Sequence, residues 1–318
     1  MTRVISKAEI LSTLPGIDLV ESMAAAFVAY SSGLAVVPPV GELVFESPPG
    51  DVHIKYGYVR GERYYVVKVA SGFYDNPAIG LPTGNGLMLL FSQATGVLEA
   101  VLLDEGILTD ERTAAAGAVV AKHLAPRQLN CIGIVGTGAQ AELQLRHLAA
   151  VSPCRDVLVW GRNTARAEGF CERLSDSPFR ITIASSIDAL IDEARLIVTT
   201  TPAVSPLLDR LQPGTHVTAM GSDTADKQEL AASLLAAADL VIADSRAQSG
   251  SRGEVFRALQ AGEITLEKVM ELGDIISGKV AGRTSSEQVT IADLTGVATQ
   301  DIAIATAVYE RLSNTHQP

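Results

Sequence analysis

The segment Ile132-Gly133-Ile134-Val135-Gly136-Thr137-Gly138-Ala139-Gln140-Ala141 decides how this chain is read. It joins an apolar strand to a helical run through a G-x-G-x-x-A turn, a setting that gives the glycines a mechanical meaning. Gly136 permits the tight turn, Gly138 lets the backbone approach a pyrophosphate, and Ala141 is small enough for the helix to lie close on the strand. Unpaired N–H groups at the helix start then face the phosphates. Thr137, Ala139 and Gln140 join the two glycines as candidate cofactor contacts. The same letters can also build an ordinary strand–helix turn.

From this segment onward strand and helix alternate. Strands are predicted at 131–135, 156–160, 181–184, 196–200, 216–220 and 240–243, with helices at 139–150, 165–174 and 228–237 among them. Such alternation predicts a parallel sheet covered on both faces. Ligands bind at the carboxyl edge of such sheets, which adds Thr200, Thr201, Met220 and Gly221 to the cofactor candidates. An NAD site usually ends its second strand with an acid, about 20 positions past the first glycine, to hold the ribose hydroxyls. Here the strand ends Trp160-Gly161-Arg162-Asn163. The acid is missing, Gly161 leaves room, and the planar fork of Arg162 suits a 2′-phosphate. The expectation is NADP(H) in preference to NAD(H); the alternative is that Arg162 is a solvated surface residue.

The N-terminal third has a different texture. A helix is predicted over 17–30, and β-rich runs at 52–59 and 64–69 flank the turn Arg60-Gly61-Glu62-Arg63. Further strands at 87–91 and 97–103 make an antiparallel-rich sheet. A helix follows over 107–124, with Thr109 as its expected N-cap, and a last helix covers 298–312. The fold class expected is therefore α/β, a Rossmann-type doubly wound parallel sheet plus a mixed α+β domain.

Composition bounds the function. The 318 residues are 47% hydrophobic and 19% charged, which excludes general disorder. A net charge of -11 disfavours binding to nucleic acid or an anionic membrane. No apolar run reaches the length of about 18 residues that a membrane helix needs. The first residues lack the apolar core of a signal peptide, so a soluble, cytoplasmic protein is expected. Cys131, Cys154 and Cys171 are too irregularly spaced for a disulfide framework or zinc cluster, and no metal site is expected.

Four polar features stand out. Lys68 lies inside the run Val66-Val67-Lys68-Val69-Ala70. On a buried face it would be a candidate acid/base group with a lowered pKa; on an edge strand it would reach into water. Arg112 is placed early in its helix, where a cation opposes the dipole. That position suits a bound carboxylate or phosphate, or an ion pair with Asp110, Glu111 or Asp104. Asp226 and Glu229 read as a capping box, which leaves Asp223 to act on a substrate amine. Gly80-Leu81-Pro82-Thr83-Gly84-Asn85-Gly86 reads only as a loop.

Taken in order, several stretches resemble the ornithine cyclodeaminase/μ-crystallin family. They are Val67-Lys68-Val69 with Asn76-Pro77, Gly80-Leu81-Pro82-Thr83, and Thr109-Asp110-Glu111-Arg112-Thr113-Ala114-Ala115. The Gly136-Thr137-Gly138 turn and Gly221-Ser222-Asp223 with Lys227-Gln228-Glu229-Leu230 complete the set. The resemblance implies a homodimer whose subunit has two domains. Residues 1–118, completed by 297–318, would bind substrate and dimerise, and 119–296 would form the NAD(P)-binding domain. It further implies that Lys68 is the active-site lysine, that Asp223 exchanges protons, and that Thr83 and Arg112 lie beside the nicotinamide and its phosphates. One position departs from the family pattern. After Val36-Val37-Pro38-Pro39 an arginine that clamps the substrate carboxylate is expected, and Val40 stands there. Lys55, Arg60 and Arg63 are the candidates to replace it.

The activity so implied is NADP(H)-dependent hydride transfer at the α-carbon of a small imino or amino acid, as in a cyclic ketimine reductase. The alternatives are a deaminating cyclisation with recycled NAD, and a crystallin-like protein that binds NADPH and a small ligand.

Overall fold

The computed structural model describes residues 2–314; Met1 and residues 315–318, which belong to the expected substrate domain, lie outside the described residues. In chain order the first elements are β1 (Arg3–Ser6), α1 (Lys7–Thr13), α2 (Leu19–Ser31), β2 (Ala35–Val36) and β3 (Gly41–Glu46). The hairpin β4 (Pro49–Val59) and β5 (Tyr64–Phe73) follows, then β6 (Gly84–Ser92), β7 (Leu98–Leu103) and α3 (Ile107–Leu124). The alternating region comprises β8 (Ile132–Val135), α4 (Ala139–Val151), β9 (Asp156–Trp160), α5 (Thr164–Arg173), β10 (Arg180–Ile183) and α6 (Ile187–Glu193). It continues through β11 (Leu196–Thr199), β12 (Val204–Leu208), β13 (His216–Ala219), β14 (Gln228–Leu230), α7 (Ala232–Ala237) and β15 (Leu240–Ala243). Last come α8 (Arg246–Ser249), α9 (Gly253–Gln260), β16 (Val269–Glu271), α10 (Leu272–Ile276), β17 (Thr290–Asp293) and α11 (Ala298–Asn314).

The chain forms two compact units, one from the residues up to Arg112 together with those from Val297 on, the other Thr113–Gly296. The first contains a sheet ordered β1-β7-β6-β5-β4-β2, with β3 also on β4, antiparallel except for the β1–β7 pair. Helix α11 packs on β4, β5 and β6, and α2 packs on α11. One cross-strand row on the covered face runs Ile5, Leu102, Met88, Lys68, Lys55. Its first three members are fully buried apolar side chains, each worth about 1.5–3 kcal/mol when removed from water. The next two are lysines. The neighbouring row Val4, Val101, Leu89, Val67, Tyr56 lies on the opposite face, because side chains alternate along a strand.

The second unit is built on an all-parallel sheet ordered β10-β9-β8-β11-β13-β17-β15-β16. Val135, Ile197, Val217, Val241 and Ile291 fill its centre without exposure. Strand order reverses between β8 and β11, so the carboxyl ends of these neighbours frame the crevice typical of doubly wound sheets.

Two local expectations fail. Helix α3 starts at Ile107, ahead of Thr109. Its first turn is held by Asp104, whose Oδ2 accepts from Leu108 N–H at 2.9 Å, after a turn in which Glu105 and Gly106 have φ of 53° and 89°. Thr109 is thus inside the helix, and Arg112 falls in its second turn. Nor is 228–237 one helix. Residues Gln228–Leu230 pair with β12 as a strand, and the helix begins at Ala232. Glu229 is therefore not part of a capping box.

Candidate active site

In the second unit the glycine turn lies as its letters require. Gly136 has φ 127°, and a Cβ there would come within 2.4 Å of Thr200 Oγ1. Gly138 is the N-cap of α4, offers no side-chain cap, and a Cβ added to it meets nothing within 4 Å. A bare helix N-terminus with open space before it suits a diphosphate. Around it lies a cleft of about 330 Å³ lined by Gly136, Thr137, Gly138, Trp160, Gly161, Arg162, Asn163, Arg166, Thr200, Thr201, Pro202 and Leu207. A second depression shares Thr200, Thr201 and Pro202 and adds Gln140, Met220, Gly221, Asp223 and Lys227. Ala139 lines neither; it is the first residue of α4.

Arg162 is exposed just past the end of β9, and Arg166 stands in the first turn of α5, which contains no acid. Arg166 was not singled out from the sequence. The signal was present, because a cation in a first helical turn opposes the dipole, as had been argued for Arg112. Asn163 caps α5, its side chain accepting from Arg166 N–H at 3.0 Å. Asp223 is not left to act alone on a substrate amine. Its Oδ1 pairs with Lys227 Nζ at 2.6 Å, within easy reach of an adjacent loop position.

In the first unit, β5 is an interior strand, so the edge-lysine reading of Lys68 fails. Lys68 is 2% exposed and pairs with Asp301 of α11, Nζ to Oδ1 at 2.9 Å. Arg112 reaches the same oxygen, Nε to Oδ1 at 3.1 Å, and its Nη1 donates to Gln300 Oε1 at 3.0 Å. Asp301 is thus a counter-ion of Arg112, one that the sequence reading did not consider. Lys55, opposite Lys68, is buried as well.

Burial draws Lys68 down to about 8 against the opposing pull of Asp301, with Arg112 adding to the fall. For Asp301, burial alone would raise the pKa, but Lys68, Arg112 and Lys55 outweigh it and hold the carboxyl below its ordinary value. Its second oxygen, Oδ2, is buried without a hydrogen-bond partner.

Asp301 escaped the sequence reading, although it occupies the stripe shared by Ile304, Ala305, Val308 and Leu312 on α11. An acid on an apolar stripe needs a buried partner, and that was the available signal. Arg60 and Arg63 do not join this cluster. Arg60 Nη1 donates to Gly33 O at 2.6 Å, while Arg63 lies over the Tyr64 ring, near Glu310. Val40 precedes Gly41, whose partner on β4 is Ile54, the residue before Lys55. Thr83 sits just beyond the Gly72–Gly84 end of the β5–β6 ladder, its carbonyl accepting from Phe73 N–H at 2.9 Å.

A doubly wound sheet with a glycine-turn cleft, joined to a unit bearing a buried lysine, defines a nicotinamide-dependent oxidoreductase in which the chain binds NAD(P). The model of the ornithine cyclodeaminase/mu-crystallin family matches residues 2–316, and the chain belongs to that family. It is 42% identical over 315 residues to an uncharacterized cyclodeaminase of Sinorhizobium fredii, covering 97% of this chain and 95% of the other. An archaeal alanine dehydrogenase dimer with bound NAD superposes with a TM-score of 0.90 at 33% identity, covering 100% and 98% of the two chains. The Delta(1)-pyrroline-2-carboxylate reductase of Thermococcus litoralis, in complex with NADH and L-proline, gives 0.92 at 25% identity, covering 99% and 98%.

Proposed function

We propose that this protein is an NADP(H)-dependent reductase of a small imino acid, a cyclic ketimine carboxylate or its open-chain counterpart. The observation that carries the reading is the buried Lys68–Asp301–Arg112 cluster, with Lys55 beside it. Lys68, Arg112 and Lys55 gather around the Asp301 carboxylate there, and a cluster of buried cations suits an anionic substrate. Arg112 and Lys55 are the groups for the substrate carboxylate, Lys55 taking the part that Val40 cannot. Lys68, poised near pH 8, donates its proton to the imine nitrogen, and Asp301 holds the ammonium in place for that donation. Thr83 is proposed to border the substrate, and Asp223 with Lys227 to relay protons to solvent. The first unit is thus the substrate unit and the second the cofactor unit.

The glycine turn, Thr137, Ala139, Gln140, Thr200, Thr201, Met220 and Gly221 are the proposed contacts of the dinucleotide, which supplies hydride. Gly161, Arg162, Asn163 and Arg166 favour a 2′-phosphate, because no acid stands where ribose hydroxyls would need one. The apolar row Val4, Val101, Leu89, Val67, Tyr56 supports a homodimer; Val4 is 61% and Tyr56 40% exposed in the single chain.

The test is NADPH oxidation by the purified protein across a panel of cyclic and open-chain imino acids. Turnover with net NADPH consumption is expected. Ammonia release from ornithine without net consumption would replace this reading by a deaminating cyclisation. Dinucleotide binding with no turnover on any imine would replace it by a binding protein.

A further inference from the structure

Glu229 is fully buried at the carboxyl edge of the parallel sheet, yet it takes no part in the chemistry proposed above. Its two oxygens accept four hydrogen bonds. Oε2 receives Thr199 Oγ1–H at 2.6 Å and Gly221 N–H at 2.9 Å; Oε1 receives Thr201 N–H at 2.6 Å and Thr201 Oγ1–H at 2.7 Å. Thr199 ends β11, and Thr201 is the second residue of the loop that follows it. Gly221 lies in the loop after β13, the strand paired with β11. One carboxylate therefore ties together two adjacent loops at the strand ends. Those loops supply Thr200, Thr201 and Pro202 to the dinucleotide cleft, and Met220 and Gly221 to the neighbouring depression.

The tie is close and is itself held. A Cβ at Gly221 would lie 2.2 Å from Thr201 O and 2.7 Å from Glu229 Cδ, so the two loops touch through backbone. The main chain of Glu229 is anchored in turn, its N–H donating to Glu254 Oε1 at 2.6 Å and Leu230 N–H to Glu254 Oε2 at 3.2 Å. Glu254 sits in the first turn of α9. There Asp293, at the end of β17, accepts from Val255 N–H at 2.9 Å and packs against Gly253, whose φ is 87°. A buried carboxylate with every acceptor site filled fixes its donors, because any loosening leaves charge or N–H groups unpaired.

We infer that Glu229 is a positioning residue for the dinucleotide, setting the Thr200–Pro202 lip of the cleft by clamping it to the Gly221 loop. This rests on the dinucleotide reading of the cleft. Replacing one oxygen by an amide, as in Glu229→Gln, points two N–H donors at donors that already need acceptors, at nearly constant volume.

The test compares wild type and Glu229→Gln by fluorescence titration with NADPH and with NADH, alongside steady-state kinetics on an imine that the wild type reduces. The expected result is a dinucleotide Kd raised at least tenfold, with kcat and the KM for the imine within threefold. A Kd within twofold of wild type overturns the inference, as does a parallel loss in kcat and both KM values, which marks a general loosening of the fold. If Glu229→Gln does not fold, Thr199→Val removes one hydroxyl donor from a buried residue outside the cleft lining. It should raise the Kd about three- to fivefold, and an unchanged Kd overturns the inference. A wild-type protein that binds neither dinucleotide defeats the cofactor reading itself, and the inference with it.

Discussion

Lys55 and Lys68 face each other as a cross-strand pair in the β4–β5 ladder, both buried, with Asp301 accepting from Lys68 across the sheet–helix interface. Like charges directly opposite one another destabilise a sheet, so a second lysine beside the first is costly unless an anion is at hand. Lys68, Arg112 and Lys55 in turn hold the Asp301 carboxyl below its ordinary value. The proposed reading of this cluster and of the glycine-turn cleft leads to most of the following expectations, and the buried acids behind the cleft lead to the last.

Lys68→Ala should abolish imine reduction by about two to four orders of magnitude, the usual contribution of a positioned proton donor. NADPH affinity should stay within threefold of wild type. Steady-state kinetics with a parallel binding titration checks this, and normal turnover in the variant would remove Lys68 from the mechanism.

The reductive pH profile should show a limb near 8. Lys68 must be protonated to donate, and burial has brought it down to about 8. The rate of reduction should thus fall as pH rises through that value, whereas oxidation of the amine, which needs the neutral lysine, should rise toward it. A reductive rate still flat at pH 9.5 would contradict the assignment.

Asp301→Asn removes the counter-charge and leaves buried cations unpaired, at a cost of about 3–5 kcal/mol. Denaturant unfolding measures the loss. Asp301 also holds Lys68 up against the effect of burial, so in the folded variant the reductive limb should move to lower pH. A shift upward would show that another group carries it.

Arg162→Ala combined with Arg166→Ala should raise the KM for NADPH at least tenfold and change that for NADH less than threefold, since bidentate guanidinium contacts to phosphate are the strong ones. Wild type that prefers NADH by tenfold would end the 2′-phosphate reading.

Burial pushes Asp293 and Glu254 up to about 8, with Asp293 adding to the rise at Glu254, and Asp244 and Glu229 adding to that at Asp293. Unfolded carboxyls titrate near 4. The native state therefore binds extra protons between those values, and stability declines as pH climbs from about 4 to about 8. Each group contributes a slope of up to about 1.4 kcal/mol per pH unit. Asp293→Asn mimics the protonated acid, so its melting temperature should fall less than that of wild type between pH 6 and pH 8. Equal slopes would show that Asp293 is ionised throughout.

The sequence made much of this legible, and the limits have physical causes. Strands β9 and β15 stand where the apolar runs placed them, and α3 spans the predicted residues, because unbroken apolar runs between turn residues and a sustained helical period are signals carried by the local sequence. The lining of the glycine-turn cleft was readable since its glycines, threonines and Arg162 follow strand ends that are themselves readable. Strands β12, β14 and β16 are of three to five residues and owe their form to pairing partners, so no local pattern announces them. Asp301 was missed because its meaning comes from Lys68, 233 residues away. Glu229 was misjudged for the opposite reason, since a local motif four residues long outweighed contacts that only the folded sheet supplies.

The pairing of Lys68 with a residue of the final helix imposes an order on synthesis. A ribosome emits both lysines and Arg112 long before α11, so the growing chain must keep that half-built face wet, or covered by something else, until the last turns arrive. Docking of α11 then expels water and supplies the anion in one event. The burial that brings Lys68 down to about 8 and the arrival of the Asp301 carboxylate that opposes this fall are consequently two parts of one folding step.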